Sequence, residues 1–301
     1  MIRLLGWVAR HGRWSLILGL LGGLSLPALA EALRPWLPHL IAALLFVSAY
    51  RIGPRAALGT LGDLRRSAAV VLLYQLAAPL LLLGLLGAAG LAATPAGLAA
   101  VLVLAAPSVT GNPNFTILMG HDPIRAMQLL LLGTALFPLT VVPVLWALPV
   151  LEGAADVLAS AARLLLVVAG AVGLAFLLRR DVALSDESRS ALDGVAAILL
   201  AVVVIGLMSA MGPALRETPG DLALWLIFAL SLNFGLQIAA WLMVPGRDAG
   251  VAVVAGNRNI ALFLVALPED IVTTLLLFIG CYQIPMYLTP IVMRRLYRSG
   301  H

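Results

Sequence analysis

Apolar runs of about 20 residues recur along almost the whole chain, and they restrict its fold more than any other feature. A helix of about that length crosses ~30 Å of hydrocarbon. Only 11% of the residues are charged, too few to cover the surface of a water-soluble domain of this length. The pattern predicts an all-α polytopic membrane protein. We expect ten transmembrane helices, at 13–33, 37–51, 66–90, 96–119, 124–149, 155–178, 190–211, 219–244, 249–267 and 271–293.

All 19 basic residues are arginines, and their distribution predicts how these helices are oriented. Fifteen of them fall on one side of the alternating connections, whereas only Arg34 and Arg216 fall on the other. Such an excess is typical of the cytoplasmic side. Both termini are therefore predicted to be cytoplasmic, in the inner (plasma) membrane. The pI near 10.1 then reflects topology, so we expect contact with membrane lipid and none with nucleic acid.

The first apolar run has two interpretations. A basic start, WSLILGLLGGLSL and then PALAEA together resemble a secretory signal peptide with a small-residue cleavage site. Its removal would leave nine helices and break the symmetry described next. We therefore predict a retained first helix.

Two similar tetrapeptides, GNPN at 111–114 and GNRN at 256–259, lie in apolar runs about 145 residues apart. Prolines spaced five residues apart follow each of them at nearly the same offset. A displacement by five helices, an odd number, turns the second copy over in the membrane, as in many secondary transporters. We predict two inverted five-helix repeats, 1–149 and 150–301.

The tetrapeptides predict that the fourth and ninth helices are discontinuous. Pro113 lacks an amide donor and should break its helix, and Gly111 and Gly256 permit unusual backbone angles there. Asparagine side chains can cap the new half-helices or hold the partner segment. The four asparagines are Asn112, Asn114, Asn257 and Asn259. Simple helix–helix packing is the alternative for each of them.

Three segments carry a resemblance to a known family: PSVTGNPNFT (107–116), YQLAAP (74–79) and AGNRN (255–259). In order and spacing they resemble the bile acid:sodium symporter family over nearly the whole chain. The resemblance implies a secondary transporter. The absence of acidic residues and histidines at mid-membrane argues against an intramembrane enzyme. The resemblance also implies that the broken helices cross in a core, here about 66–149 and 219–293, which moves against a panel of about 13–51 and 155–211.

The sequence departs from this family at the sodium-binding positions. The resemblance implies a glutamate where Val254 stands and a glutamine where Arg258 stands. In the fourth helix Asn112 and Pro113 replace a serine and an asparagine, and downstream Ala126 and Leu130 replace a serine and a threonine. Only Gln75 is clearly retained, with Asn112 as a further oxygen ligand. An oxygen cage without its carboxylate, next to a guanidinium, is a poor cation site.

Arg258 therefore has two compatible interpretations. All 14 acidic residues lie near helix ends, so the sequence offers the guanidinium no carboxylate at mid-membrane. It either replaces the bound cation, caged by amide side chains and broken-helix carbonyls, or it binds an anionic substrate by a bidentate contact. We predict transport of a small organic anion, bile-acid-like or carboxylate, without sodium. A sodium symporter that uses a residual site at Gln75 and backbone carbonyls is the alternative.

The predicted substrate or ion site comprises twelve residues. They are Gln75, Thr110, Gly111, Asn112, Pro113, Asn114, Gly256, Asn257, Arg258, Asn259, Tyr282 and Gln283, with Thr134, Asn233 and Tyr287 as further polar candidates. A lone cysteine, Cys281, and four scattered histidines predict neither a metal site nor another cofactor. Arg163 either reaches the interface or lines the cavity. A sensor or scaffold without transport, or an intramembrane enzyme, are the rival classes. No oligomeric state is predicted.

Overall fold

The structure, a computed structural model, describes residues 2–54, 64–151, 153–244 and 246–298. Within these ranges the secondary structure is helical apart from turns and one isolated β-bridge, which confirms the predicted all-α class. The α-helices are α1 (Ile2–Arg10), α2 (Gly12–Ser25), α3 (Pro27–Leu33), α4 (Leu37–Ile52), α5 (Leu64–Leu72), α6 (Ala78–Ala88), α7 (Pro95–Ala105), α8 (Asn112–Leu118), α9 (Ile124–Ala147), α10 (Ala154–Arg179), α11 (Asp186–Leu207), α12 (Met211–Glu217), α13 (Pro219–Met243), α14 (Ala249–Gly256), α15 (Glu269–Val292) and α16 (Arg294–Arg298).

Seven helical stretches among the described residues are long and apolar enough to cross a membrane. This supports the prediction of a multi-pass membrane protein. They are Pro27–Ile52, Leu64–Ala88, Ile124–Ala147, Ala155–Arg179, Asp186–Glu217, Pro219–Met243 and Glu269–Val292.

The predicted boundary between the first two spans, at residues 34–36, is wrong. The chain breaks earlier, at Leu26 (φ −121°, ψ 67°), and Pro27 opens α3. The helical conformation is unfavourable for a residue that precedes proline. Proline itself costs no hydrogen bond in the first turn of a helix, because the amides there have no partner within the helix. Residues Arg34–Trp36 instead form a 3₁₀ turn that joins α3 to α4. The helix Pro27–Ile52 is therefore continuous.

The chain divides into two compact units, and the first comprises residues 1–59 and 165–223. Helix α11 packs against α1, α2 and α4 in this unit. Glycines allow these close approaches, since a Cβ at Gly194 would overlap the Leu5 carbonyl and one at Gly23 would overlap the Met208 side chain. Small residues of this kind are typical of helix contacts in membrane proteins.

The second unit comprises residues 60–164 and 224–301 and contains both tetrapeptides. Helix α9 packs against α5 and α14, α7 packs against α6, and α8 contacts α14. An apolar cluster that includes Phe115, Met119, Trp241 and Tyr297 fills part of its interior. The candidate site lies entirely within this unit.

Candidate functional site

The first tetrapeptide lies at an interruption between α7 and α8. Helix α7 ends at Ala105, and Ala106 is extended (φ −62°, ψ 149°), as expected for the residue before Pro107. Helix α8 then begins at Asn112, with Pro113 in its first turn. The prediction that Pro113 ends a helix is therefore wrong. Pro107 follows the end of one helix, whereas Pro113 lies where a missing amide costs nothing.

The second tetrapeptide lies at the end of α14. That helix ends at Gly256, Asn257 is non-helical (φ −101°, ψ 89°), and residues Ile260–Val265 form a 3₁₀ helix. The predicted role of the two glycines is also wrong, because neither Gly111 nor Gly256 has a positive φ. Gly256 instead allows α13 and α14 to pack closely, since a Cβ there would overlap the carbonyl oxygen of Asn233.

The two non-helical segments pair with each other. Ser108 and Arg258 form an antiparallel β-bridge. The Val109 amide donates to the Asn257 carbonyl at 3.2 Å, and the Asn259 amide donates to the Pro107 carbonyl at 2.8 Å. Backbone groups outside a helix need such partners wherever water is excluded. The pairing therefore stabilises the two helix interruptions, each of which would cost free energy on its own.

The side chain of Asn112 reinforces this pairing. Its Nδ2 donates to Ser108 Oγ at 2.8 Å and to the Asn257 carbonyl at 2.9 Å. The expectation that an asparagine caps the new half-helix is wrong here, because Gly111 is the N-cap of α8 and no side chain caps it. Asn112 holds the partner segment, the second role considered for it.

Asn257 is held by α13 and α15. Its Oδ1 accepts from Asn233 Nδ2 at 3.0 Å and lies 3.1 Å from Thr289 Oγ1. The Gly256 carbonyl accepts from Asn233 Nδ2 at 2.5 Å and from the hydroxyl of Tyr282. All of these polar side chains are buried. Predicted residues Asn257 and Tyr282 are thus brought together at the end of α14.

Gln237 and Tyr297 extend this network and were not predicted from the sequence. Gln237 Nε2 donates to Asn233 Oδ1 at 2.7 Å and to Thr289 Oγ1 at 3.0 Å. The Tyr297 hydroxyl donates to Gln237 Oε1 at 3.0 Å. One signal was available in the sequence, because Asn233 and Gln237 are four residues apart and share one face of an apolar helix.

Arg258 is 2% exposed, and no carboxylate forms an ion pair with it among the described residues. Its Nη2 donates to the Leu104 carbonyl at 3.2 Å, and its Cζ lies 4.9 Å from the centroid of the Tyr74 ring. The carbonyl belongs to the last turn of α7, so a broken-helix carbonyl does contact the guanidinium. Its other contact is an aromatic face, and the predicted cage of amide side chains is not present around it in the described residues.

Three buried polar atoms in or next to the paired segments have no hydrogen-bond partner within the described part of the chain: Asn112 Oδ1, Asn257 Nδ2 and Arg258 Nε. Leaving such a group unsatisfied costs about 1–3 kcal/mol, more when the group is charged. They comprise two donors, one of them cationic, and one acceptor. An oxygen acceptor of a ligand would satisfy either donor.

Gln75 lies in a π-helical turn, Leu73–Ala77, between α5 and α6. The Ala78 amide donates to the Leu73 carbonyl five residues earlier, and Pro79, which has no amide hydrogen, stands just beyond. Gln75 Oε1 accepts from Thr140 Oγ1 at 3.1 Å. The amide is therefore already used in holding this turn against α9.

Replacing Thr140 by valine is expected to destabilise the protein by about 1–3 kcal/mol, because it leaves the buried Gln75 oxygen without its donor. Thermal unfolding in detergent would measure the effect. Thr134→Val on the same helix is the matched control, since Thr134 is only half-buried. Equal unfolding temperatures for the two variants would contradict this role of Thr140.

The remaining predicted residues are more peripheral to these hydrogen bonds. Asn114 is exposed, whereas Thr110 and the Asn259 side chain are half-buried. Gln283 is buried, but its Nε2 donates to the Ile279 carbonyl of its own helix at 3.1 Å. Arg163 is exposed on α10.

Neither a protein-family model nor a curated protein matches this sequence.

Proposed function

We propose that this chain is a secondary transporter of a small organic anion, carboxylates being the preferred class, that works by alternating access. The proposal includes ten membrane helices in two inverted five-helix repeats, in the inner membrane with cytoplasmic termini. The observation that carries it is Arg258, a buried guanidinium without a carboxylate partner among the described residues, located where two interrupted helices pair.

The chemistry of the paired segments supports an anionic substrate. A buried arginine stays protonated at physiological pH, so its charge persists and attracts an anion strongly where water is excluded. Arg258 Nε is an unused cationic donor, and charge-assisted hydrogen bonds from arginine to a carboxylate are among the strongest in proteins. Transporters place substrate sites where discontinuous helices meet.

The same residues support sodium-independent transport. A sodium site needs several oxygen ligands and is weakened by a nearby fixed cation. Gln75 is the one clear match to the sodium-binding positions of the bile acid:sodium symporters, and its oxygen already accepts from Thr140. In this proposal, Arg258 takes the place of the bound cation.

Sodium-coupled symport is the second candidate, and one atom favours it. Asn112 Oδ1 is a buried oxygen with no hydrogen-bond donor among the described residues, and backbone carbonyls of the paired segments lie close by. A weak sodium site could use these oxygens.

Uptake of organic carboxylates into liposomes tests both candidates. We expect uptake driven by the anion gradient to be the same with inward sodium as with choline, because a fixed guanidinium replaces the ion. Steep dependence on sodium would overturn this and establish the symporter. Thermal stabilisation by an anion without any flux would instead favour a sensor.

A further inference from the structure

A second polar site lies in the first unit, well separated in sequence from the paired segments. It is a cavity of about 310 Å³ between the end of α4 and the α10–α11 connection. Its charged lining residues are Arg179, Arg180, Arg189 and Asp181, a net charge of +2. A cavity with this charge attracts anions.

Arg179 is the residue whose hydrogen bonding is incomplete. Its Nε is buried and has no acceptor in the ranges that the structure describes. Gly53 (φ +77°) lies against this side chain, since a Cβ there would be 3.2 Å from Arg179 Cγ. The guanidinium is therefore packed against the backbone while a buried donor stays free.

Two neighbouring arginines, by contrast, each donate a hydrogen bond to a carboxylate. Arg51 Nη2 donates to Asp193 Oδ2 at 3.0 Å, and Arg180 Nε donates to Asp181 Oδ2 at 2.7 Å. Neither Arg179 nor Arg189 has such a carboxylate within the described residues. Two of the three cavity arginines are thus available to an external anion.

The surface beside the cavity is apolar. Leu177, Leu178 and Val182 are 58%, 52% and 43% exposed, and they flank the arginines at the end of one of the membrane-crossing helices. A free inorganic anion gains nothing from such side chains. An anionic phospholipid fits both features, because its phosphate meets the guanidinium groups and its acyl chains cover the leucines.

We propose that this cavity binds the phosphate of an anionic phospholipid headgroup through Arg179 and Arg189. Arginine suits this role because its fork of donors matches the phosphate oxygens. Basic pockets between membrane helices on the cytoplasmic side recognise lipid headgroups in this way. The site is independent of the proposed transport activity.

Native mass spectrometry of the full chain, released from micelles that contain phosphatidylglycerol or phosphatidylcholine, tests the proposal. We expect phosphatidylglycerol to be retained in preference to phosphatidylcholine. Arg179→Gln and Arg189→Gln should each weaken its binding about five-fold, the equivalent of ~1 kcal/mol per basic side chain near an anionic surface. Asp181→Asn should strengthen binding, because it removes the carboxylate from the cavity.

Matched variants make the test decisive. Arg3→Gln removes an exposed arginine elsewhere in the same unit and should leave binding unchanged. Tighter binding by Asp181→Asn would support the site even if Arg179→Gln fails to fold, because the two variants are measured separately. Equal retention of the two lipids, or no change in the three cavity variants, would overturn the proposal. Inorganic phosphate that displaces phosphatidylglycerol at equal concentration would show an anion site without lipid selectivity, and would overturn it too.

Discussion

Replacing Arg258 by glutamine is expected to reduce anion uptake at least about ten-fold, because a charge-assisted hydrogen bond contributes ~1.5–3 kcal/mol. Glutamine keeps a donor for the Leu104 carbonyl but has neither the charge nor the two-pronged geometry of a guanidinium. Lysine keeps the charge and loses that geometry, so Arg258→Lys should retain intermediate uptake. Initial rates in liposomes, with saturating and sub-saturating substrate, would measure the difference.

Stability separates this role from a purely structural one. The wild-type protein bears the cost of desolvating a guanidinium whose Nε has no acceptor in the described residues. Removing that charge while keeping an amide donor should leave the unfolding temperature unchanged or raised. Arg163→Gln, at an exposed arginine on α10, is the control and should affect neither property. A parallel loss of folding and uptake in Arg258→Gln would show instead that the guanidinium has only a structural role, holding the paired segments.

Replacing Gly256 by alanine should destabilise the protein by about 3 kcal/mol, the upper end of the cost of overpacking a core. The added methyl group would overlap the Asn233 carbonyl oxygen and lie 2.5 Å from Gln237 Cγ. A backbone carbonyl can move only if α13 moves with it. That movement would also disturb the hydrogen bonds from Asn233 and Tyr282 to the Gly256 carbonyl.

Gly235→Ala is the matched control for this substitution. Gly235 lies on α13, the helix that Gly256 approaches, and a Cβ built there meets no atom within 4 Å. Alanine should be neutral or stabilise this helix by about 0.5–1 kcal/mol, because glycine loses more backbone freedom on folding. Thermal unfolding followed by tryptophan fluorescence compares the two variants. Similar unfolding temperatures would contradict the packing role of Gly256.

The helical class and the positions of the two interruptions could be predicted from local sequence signals. Apolar length identifies membrane helices, and Gly, Asn and Pro together mark places where a helix is weak. Local signals could not show which proline ends a helix and which opens one. Pro107 stands just after the end of α7, whereas Pro113 stands in the first turn of α8, and no local signal distinguishes the two positions.

The site was only partly predictable for a related reason. The sequence identified three of its residues, because polar groups in apolar runs need partners: Asn112, Asn257 and Arg258. Gln237 has one local signal, its spacing from Asn233. Its bond to Thr289, and the bond from Thr140 to Gln75, join residues that are far apart in sequence, and no local pattern predicts them. The π-helical turn at Gln75 likewise depends on how α5 and α6 meet α9, with Pro79 as its one local sign.

The bridge between Ser108 and Arg258 has a consequence for biosynthesis. While a ribosome has delivered only the first half of the chain, the Pro107 carbonyl and the Val109 amide have no backbone partner, since theirs are Asn259 and Asn257. The unpaired turn must then stay hydrated or be shielded by an insertase until the last helices arrive. A truncated product ending before residue 249 should therefore be held by quality control instead of maturing.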